Sequence, residues 1–187
     1  IKVEHGLRKE RFSLDNSFLP IVLGGLLARG SIAGTYPFGI AFGAALILNG
    51  GRRAIFGIIG IALGILSVAD LPFALKYLLI MAGISIISPH LRRKKNQGIL
   101  LGITTMILTG VVFSLNLFLS DFQTGDLIKV GLLSLLAGGI ALIFWFAMKN
   151  QEVIWRGEFT GEQGIAWMLV LIGTLSGLQD IKMGPVN

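Results

Sequence analysis

The sequence has no cysteine. That removes disulfides, thiolate nucleophiles and cysteine metal sites together. Histidine is nearly as scarce: His5 and His90 stand far apart, with no acidic residue at ligand spacing, and read as solvated side chains rather than a metal pair. Charge is thin as well. Asp, Glu, Lys and Arg make up 14% of the residues, where a soluble domain carries about 25%. No serine lies in a G-x-S-x-G context, and no glycine-rich phosphate loop follows a strand. The net charge of +6 is not arranged as a basic groove interleaved with aromatic residues, so nucleic acid is not an expected partner. No cofactor is expected, and nothing makes a positive case for an enzyme.

What is present is apolar. Hydrophobic residues are 53% of the chain, there are 26 glycines, and the mean hydropathy is +0.79. The polar residues do not alternate with apolar ones; they cluster between long apolar runs, which argues helices and not a barrel. Glycine is also commoner in membrane helices than in soluble ones. The apolar blocks are Phe18–Asn49, Ala54–Ala69, Phe73–Ser88, Gly98–Leu119, Leu127–Met148 and Gly164–Gln179. Crossing a hydrocarbon core takes about 20 residues. Two blocks, Gly98–Leu119 and Leu127–Met148, meet that comfortably, and the other blocks after the first are short. The reading is an all-α, polytopic transmembrane bundle of about six to seven short helices, preceded by a basic cytoplasmic lead-in over residues 1–17. The membrane domain covers 18–187, with the lipid bilayer as its first partner. Beginning at Ile1, the chain reads as a fragment or a processed polypeptide, and the first part of a larger membrane domain.

The opening block, Phe18–Asn49, is too long for one straight span. Positive residues near span ends favour the cytoplasm. If the block crosses twice, then Arg52, Arg53, Arg92, Arg93, Lys94, Lys95 and Lys149 all fall on the side of the basic N-terminus, while Asp70, Asp121 and Asp126 fall opposite. If it crosses once, the strongest basic clusters face outward. The expectation is therefore a tight hairpin, roughly Phe18–Ile32 and Tyr36–Asn49, turning near Ala33–Thr35. Pro37 suits a helix start, where its missing N–H matters little. Seven passes follow, with Asn187 outside. Arg52, Arg53, Arg92, Arg93, Lys94 and Lys95 are the topology determinants. An internal echo agrees: Pro37-Phe38 leads a run ending at Arg52-Arg53, and Pro72-Phe73 leads one ending at Arg92-Arg93. Trp145 and Trp167 flank the polar Lys149–Gln163 loop, which also holds Trp155, and such rings favour the headgroup level.

Four charges lie in or beside apolar blocks: Arg29, Asp70, Lys76 and Lys129. A charge at membrane depth is by default a functional candidate. Against that, Asp70 suits a helix start, and Lys76 and Lys129 lie within a turn of their spans' ends and can snorkel. Arg29 fits either a structural ion pair or a ligand contact. Ser67, Ser85 and Ser88 read as hydrogen-bonders between helices. The small residues of Gly39–Gly43 and Gly57–Gly60–Gly64 read as close-packing faces.

The stretches LLARGSIAGTYPFGIAFGAALIL and RRAIFGIIGIALGILSVADLPFALKYLL resemble the N-terminal membrane region of the stage II sporulation protein E family. Arg29, Pro37-Phe38 and Arg52-Arg53 stand where that family has a leucine-rich helix ending near an arginine, a Pro-Phe helix and a short basic turn. The later GEFTGEQGIAWMLVLIGTLSGLQDI is similar to the family's acidic lead into a membrane helix. The resemblance implies a membrane anchor in an endospore-forming bacterium, placed at the polar division septum and self-associating. It also implies a central region that meets the tubulin-like division protein. A metal-dependent serine/threonine phosphatase domain, using manganese or magnesium and acting on an anti-sigma-factor antagonist, would lie outside this chain. The chain is also similar in size and character to the substrate-binding subunit of an energy-coupling-factor vitamin transporter. Arg29 and Lys76 would then line a vitamin site. A small rod-shape or septum scaffold protein is a third reading.

Overall fold

The computed structural model describes residues 14–118, 124–149 and 168–176. All regular structure among them is helical: α1 Leu14–Arg29, α2 Pro37–Asn49, α3 Arg52–Leu66, α4 Leu71–Arg92, α5 Gln97–Phe118 and α6 Thr124–Lys149, with a further helical stretch at 168–176. Three helices are long and apolar enough to cross a membrane, over Leu71–Arg92, Gln97–Leu115 and Gly125–Lys149. At 1.5 Å per residue, α4 and α5 are each about 33 Å long, against a hydrocarbon core of about 30 Å.

The bundle is organised around its shortest helix. The sequence of α2, PFGIAFGAALILN, has no polar side chain before Asn49, and a helix apolar on all sides belongs in an interior. Every residue from Pro37 to Leu48 is buried, and α2 packs against α1, α3, α4, α5 and α6. Its Phe42 meets Phe144 of α6 edge-on at 5.9 Å. The outer surface is apolar too. Ile99, Ile103, Ile107, Val111 and Leu115, spaced four apart on α5, are all exposed, as are Ile55, Ile59 and Leu63 on α3.

Chain reversal between α1 and α2 uses residues 32–35. Ile32 and Thr35 exchange backbone hydrogen bonds of 2.8 and 2.9 Å, and the Thr35 hydroxyl donates to the Ile32 carbonyl at 2.7 Å. Ala33 and Gly34 both have positive φ, 52° and 75°, the pattern of a type I′ turn. The principal neighbour of α1 is nevertheless α3, not α2. Glycines make that approach possible. A Cβ on Gly24 would stand 2.6 Å from the Gly57 carbonyl oxygen, and Cβ atoms on Gly60 and Gly64 would collide with the backbones of Ile21 and Gly25. Small residues at such crossings let two backbones touch.

The structure changes two sequence expectations. The Phe73–Ser88 block read as a short span, yet α4 covers Leu71–Arg92 and runs through Pro89. Proline removes the amide that would bond the Ser85 carbonyl. The Ser88 hydroxyl donates to that carbonyl instead, at 3.0 Å. The serines also bond within their own helices, not between helices. Ser67 donates to the Gly64 carbonyl at 2.6 Å and Ser85 to Met81 at 2.8 Å. A short hydroxyl side chain reaches the carbonyl one turn back more readily than a neighbouring helix.

Candidate functional site

Charge is segregated to the two ends of the bundle. At one end lie the C-termini of α2, α4 and α6 and the N-termini of α3 and α5, carrying Arg53, His90, Arg92, Arg93, Lys94, Lys95 and Lys149. Asp15, in the first turn of α1, shares this end because α1 runs parallel to α3; its side chain lies outside the described residues. At the other end are Arg29, Asp70, Lys76, Asp126 and Lys129, the start and finish of α4 being separated by its whole length.

Arg92 is the organising residue of the basic end. Its Nε donates to the Leu48 carbonyl at 2.8 Å and its Nη2 to the Ile47 carbonyl at 2.7 Å. The last four carbonyls of any helix lack an internal donor. Here, those of a buried helix receive the planar fork of a guanidinium. Asn49 Nδ2 serves the Ala45 carbonyl at 3.0 Å, and the Gly50 amide serves Leu46 at 2.9 Å. Gly50 has φ of 75° and would bring a Cβ within 2.6 Å of Arg92 Nη2. Both its conformation and its bareness are therefore used. Arg93, Lys94 and Lys95 are exposed and, among the described residues, make no ion pair. Arg53 is exposed as well; the Arg52 side chain lies outside the described residues. Lys149 Nζ stands 5.1 Å from the centre of the Trp145 ring. That ring is buried against Gly98 at the start of α5. Trp145 is therefore turned into the seam between helices. Trp155, Trp167 and the Lys149–Gln163 loop beyond its first residue lie outside the described residues, as does Asp121.

At the opposite end the four candidate charges are not brought together. Asp70 is the exposed N-cap residue of α4, with no capping bond from its side chain. Lys129 is 68% exposed and 3.9 Å from Asp126, three residues before it. Lys76 lies over an aromatic cluster, its Nζ 5.9 Å from the Phe73 ring and 5.4 Å from Phe113. Arg29 ends α1, half-buried, and its buried Nε has no hydrogen-bond partner among the described residues. No ion pair or hydrogen bond links any two of the four among the described residues.

Sequence reasoning missed three features. Tyr77 is buried and donates its hydroxyl to the Tyr36 carbonyl, tying the α1–α2 connection to α4. Its ring joins Phe73 and Phe113 at 5.4 and 6.2 Å. Ser31 and Ser176 exchange two 3.0 Å bonds across the sequence, backbone amide to hydroxyl and hydroxyl to carbonyl. Gly30 touches Gly173 beside them. Thr105 and Thr109, one turn apart on α5, are fully buried with hydroxyls that have no partner among the described residues. Only Tyr77 leaves a trace in the sequence, as a phenol five residues after a Pro-Phe helix start. Among the described residues no three His, Asp or Glu side chains stand close enough to hold a metal ion.

No family model, curated protein or solved structure matches the chain.

Proposed function

We propose that this chain is a multi-pass membrane anchor, with its basic end in the cytoplasm, that localises and self-associates a larger protein. One observation carries the reading: an apolar outer surface stands between two charge-bearing ends, with most of the basic groups gathered at one of them. Lipid accounts for the first feature and the inward preference of Lys and Arg for the second. The tight hairpin of α1 and α2 and the seven passes belong to this proposal. On the resemblance to the stage II sporulation protein E family, the anchored partner is a cytoplasmic phosphatase, and the place is the polar septum of a sporulating cell. The test is the native polypeptide's mass in its source cells, detected with an antibody to Lys149–Gln163. A product several times larger than 20.1 kDa, enriched at the septum, is expected. A product near 20.1 kDa spread evenly over the membrane would overturn the sporulation part of the reading.

The Nε of Arg29, without a partner among the described residues, supports a second reading, the substrate-binding subunit of a vitamin transporter. A buried guanidinium nitrogen without an acceptor is a group that an anionic ligand could satisfy. Saturable vitamin binding, lost in Arg29→Gln, is the result that would move the assignment there.

A further inference from the structure

The basic end does more than orient the chain. We infer that it is a docking surface for anionic phospholipid headgroups, centred on Arg93, Lys94 and Lys95 and flanked by Arg53 and Lys149. The inference rests on the membrane reading above and names what that end binds.

Three observations carry it. First, the side chains divide by role. Arg92 is committed to the carbonyls of α2, while the next three residues are exposed and, among the described residues, make no ion pair. Second, the flanking groups are held at the same end. Lys149 stacks on Trp145, whose ring rests on Gly98, three residues after Lys95. Arg53 is the second residue of α3, close after the Gly50–Gly51 turn that Arg92 touches. Third, large exposed apolar side chains lie within about two turns of the basic groups, on the helices that carry or adjoin them. Ile55 follows Arg53, Ile86 precedes Arg93, Ile99 follows Lys95 and Phe146 precedes Lys149. Charge stacked over hydrocarbon is the profile of a headgroup boundary. An acidic protein partner would not need the apolar ring beneath the charges.

The test uses the full chain in neutral micelles, titrated with phosphatidylglycerol or phosphatidylcholine and read as retained lipids by native mass spectrometry. The variant neutralises Arg93, Lys94 and Lys95 to Gln and leaves Arg92 in place. Each basic group near a membrane surface strengthens attraction by about fivefold, so the triple variant should hold phosphatidylglycerol roughly a hundredfold more weakly. Lys129→Gln, at the other end, should bind as the parent does. Equal retention of the two lipids by the parent, or unchanged phosphatidylglycerol retention by the triple variant, would overturn the assignment. So would competition by inorganic phosphate at the same concentration, which would make the site a free-anion site. Tighter binding of polyglutamate than of phosphatidylglycerol would reassign the surface to an acidic protein. Insertion into neutral vesicles separates the two levels of the argument. Failure to insert sinks the membrane reading itself, whereas insertion without lipid preference sinks only this inference. The triple variant must also unfold with the parent's midpoint in neutral lipid. If it does not, Arg93→Gln and Lys94→Gln tested singly should each lose about fivefold, and no loss in either refutes the proposal.

Discussion

Replacing Arg92 by alanine should destabilise the bundle far more than replacing Arg93. Arg92 supplies two hydrogen bonds, 2.8 and 2.7 Å, to the carbonyls of Leu48 and Ile47. Both residues are buried, at 3% and 5% exposure. Truncation leaves two buried acceptors without donors, and each such loss costs about 1–3 kcal/mol. Water can reach the end of α2 once the guanidinium is gone, so the lower half of the summed range applies, about 2–4 kcal/mol. Lysine at 92 keeps the charge but offers a point donor in place of a fork, and should recover about half of the loss. Arg93→Ala removes an exposed side chain and should change stability by less than about 0.5 kcal/mol. The measurement is reversible unfolding in mixed micelles with increasing denaturing detergent, followed by tryptophan fluorescence, for the parent and the three variants. Equal effects of Arg92→Ala and Arg93→Ala would refute the reasoning. Arg92 would then be one more topology charge.

Further outcomes follow from the same packing logic and the same unfolding assay. Gly60→Ala puts a methyl group into the Ile21 backbone and should cost about 2 kcal/mol or more, whereas Gly139→Ala meets nothing within 4 Å and should be neutral or slightly stabilising. Equal effects would mean that α1 and α3 do not cross at these glycines. Tyr77→Phe removes the donor to the Tyr36 carbonyl and should cost about 1–3 kcal/mol; an unchanged midpoint would show that the bond contributes nothing. Thr105→Val removes a fully buried hydroxyl that has no partner among the described residues and should stabilise by about 1 kcal/mol. A loss of similar size would reveal an acceptor for that hydroxyl.

The sequence made helix existence legible because each helix is built on a long, predominantly apolar block. The expected block Gly98–Leu119 became Gln97–Phe118, and Leu127–Met148 became Thr124–Lys149. The turn expected near Ala33–Thr35 sits at 32–35. What was not legible was the use made of individual polar atoms. RRKK reads as four equivalent charges, yet one of them is a helix cap. Nothing in the tetrapeptide marks Arg92 out, because its role depends on α4 continuing through Pro89 and so reaching the end of α2. Along that continuation the Ser88 hydroxyl serves the carbonyl that Pro89 leaves without an amide. Ser31 and Ser176 are likewise 145 residues apart, and no local pattern announces that they meet. The candidate charges were found, but their separation from one another was not, since apolar blocks fix a helix's length and not its neighbours.

The position of α2 explains why such single atoms matter. Thirteen residues make a helix about 20 Å long, some 10 Å short of a hydrocarbon core. If the bundle is embedded as proposed, one or both ends of α2 fall at membrane depth, where backbone groups cannot be exposed to lipid and must be satisfied by protein. The structure meets that condition at the C-terminal end, where Arg92 supplies the missing donors; at the other end α4 anchors the segment entering α2 through Tyr77. Tyr77 holds the Tyr36 carbonyl before the first turn, and Arg92 holds the Ile47 and Leu48 carbonyls in the last. The longer helix thus brackets the shorter one with polar contacts 15 residues apart on α4. Losing either should expose a terminus of α2 without unfolding α4. Hydrogen exchange should then rise first at residues 36–39 in Tyr77→Phe and first at residues 46–51 in Arg92→Ala, with α5 unaffected in both. Uniform loss of protection across all helices would mean that α2 is held by apolar packing alone.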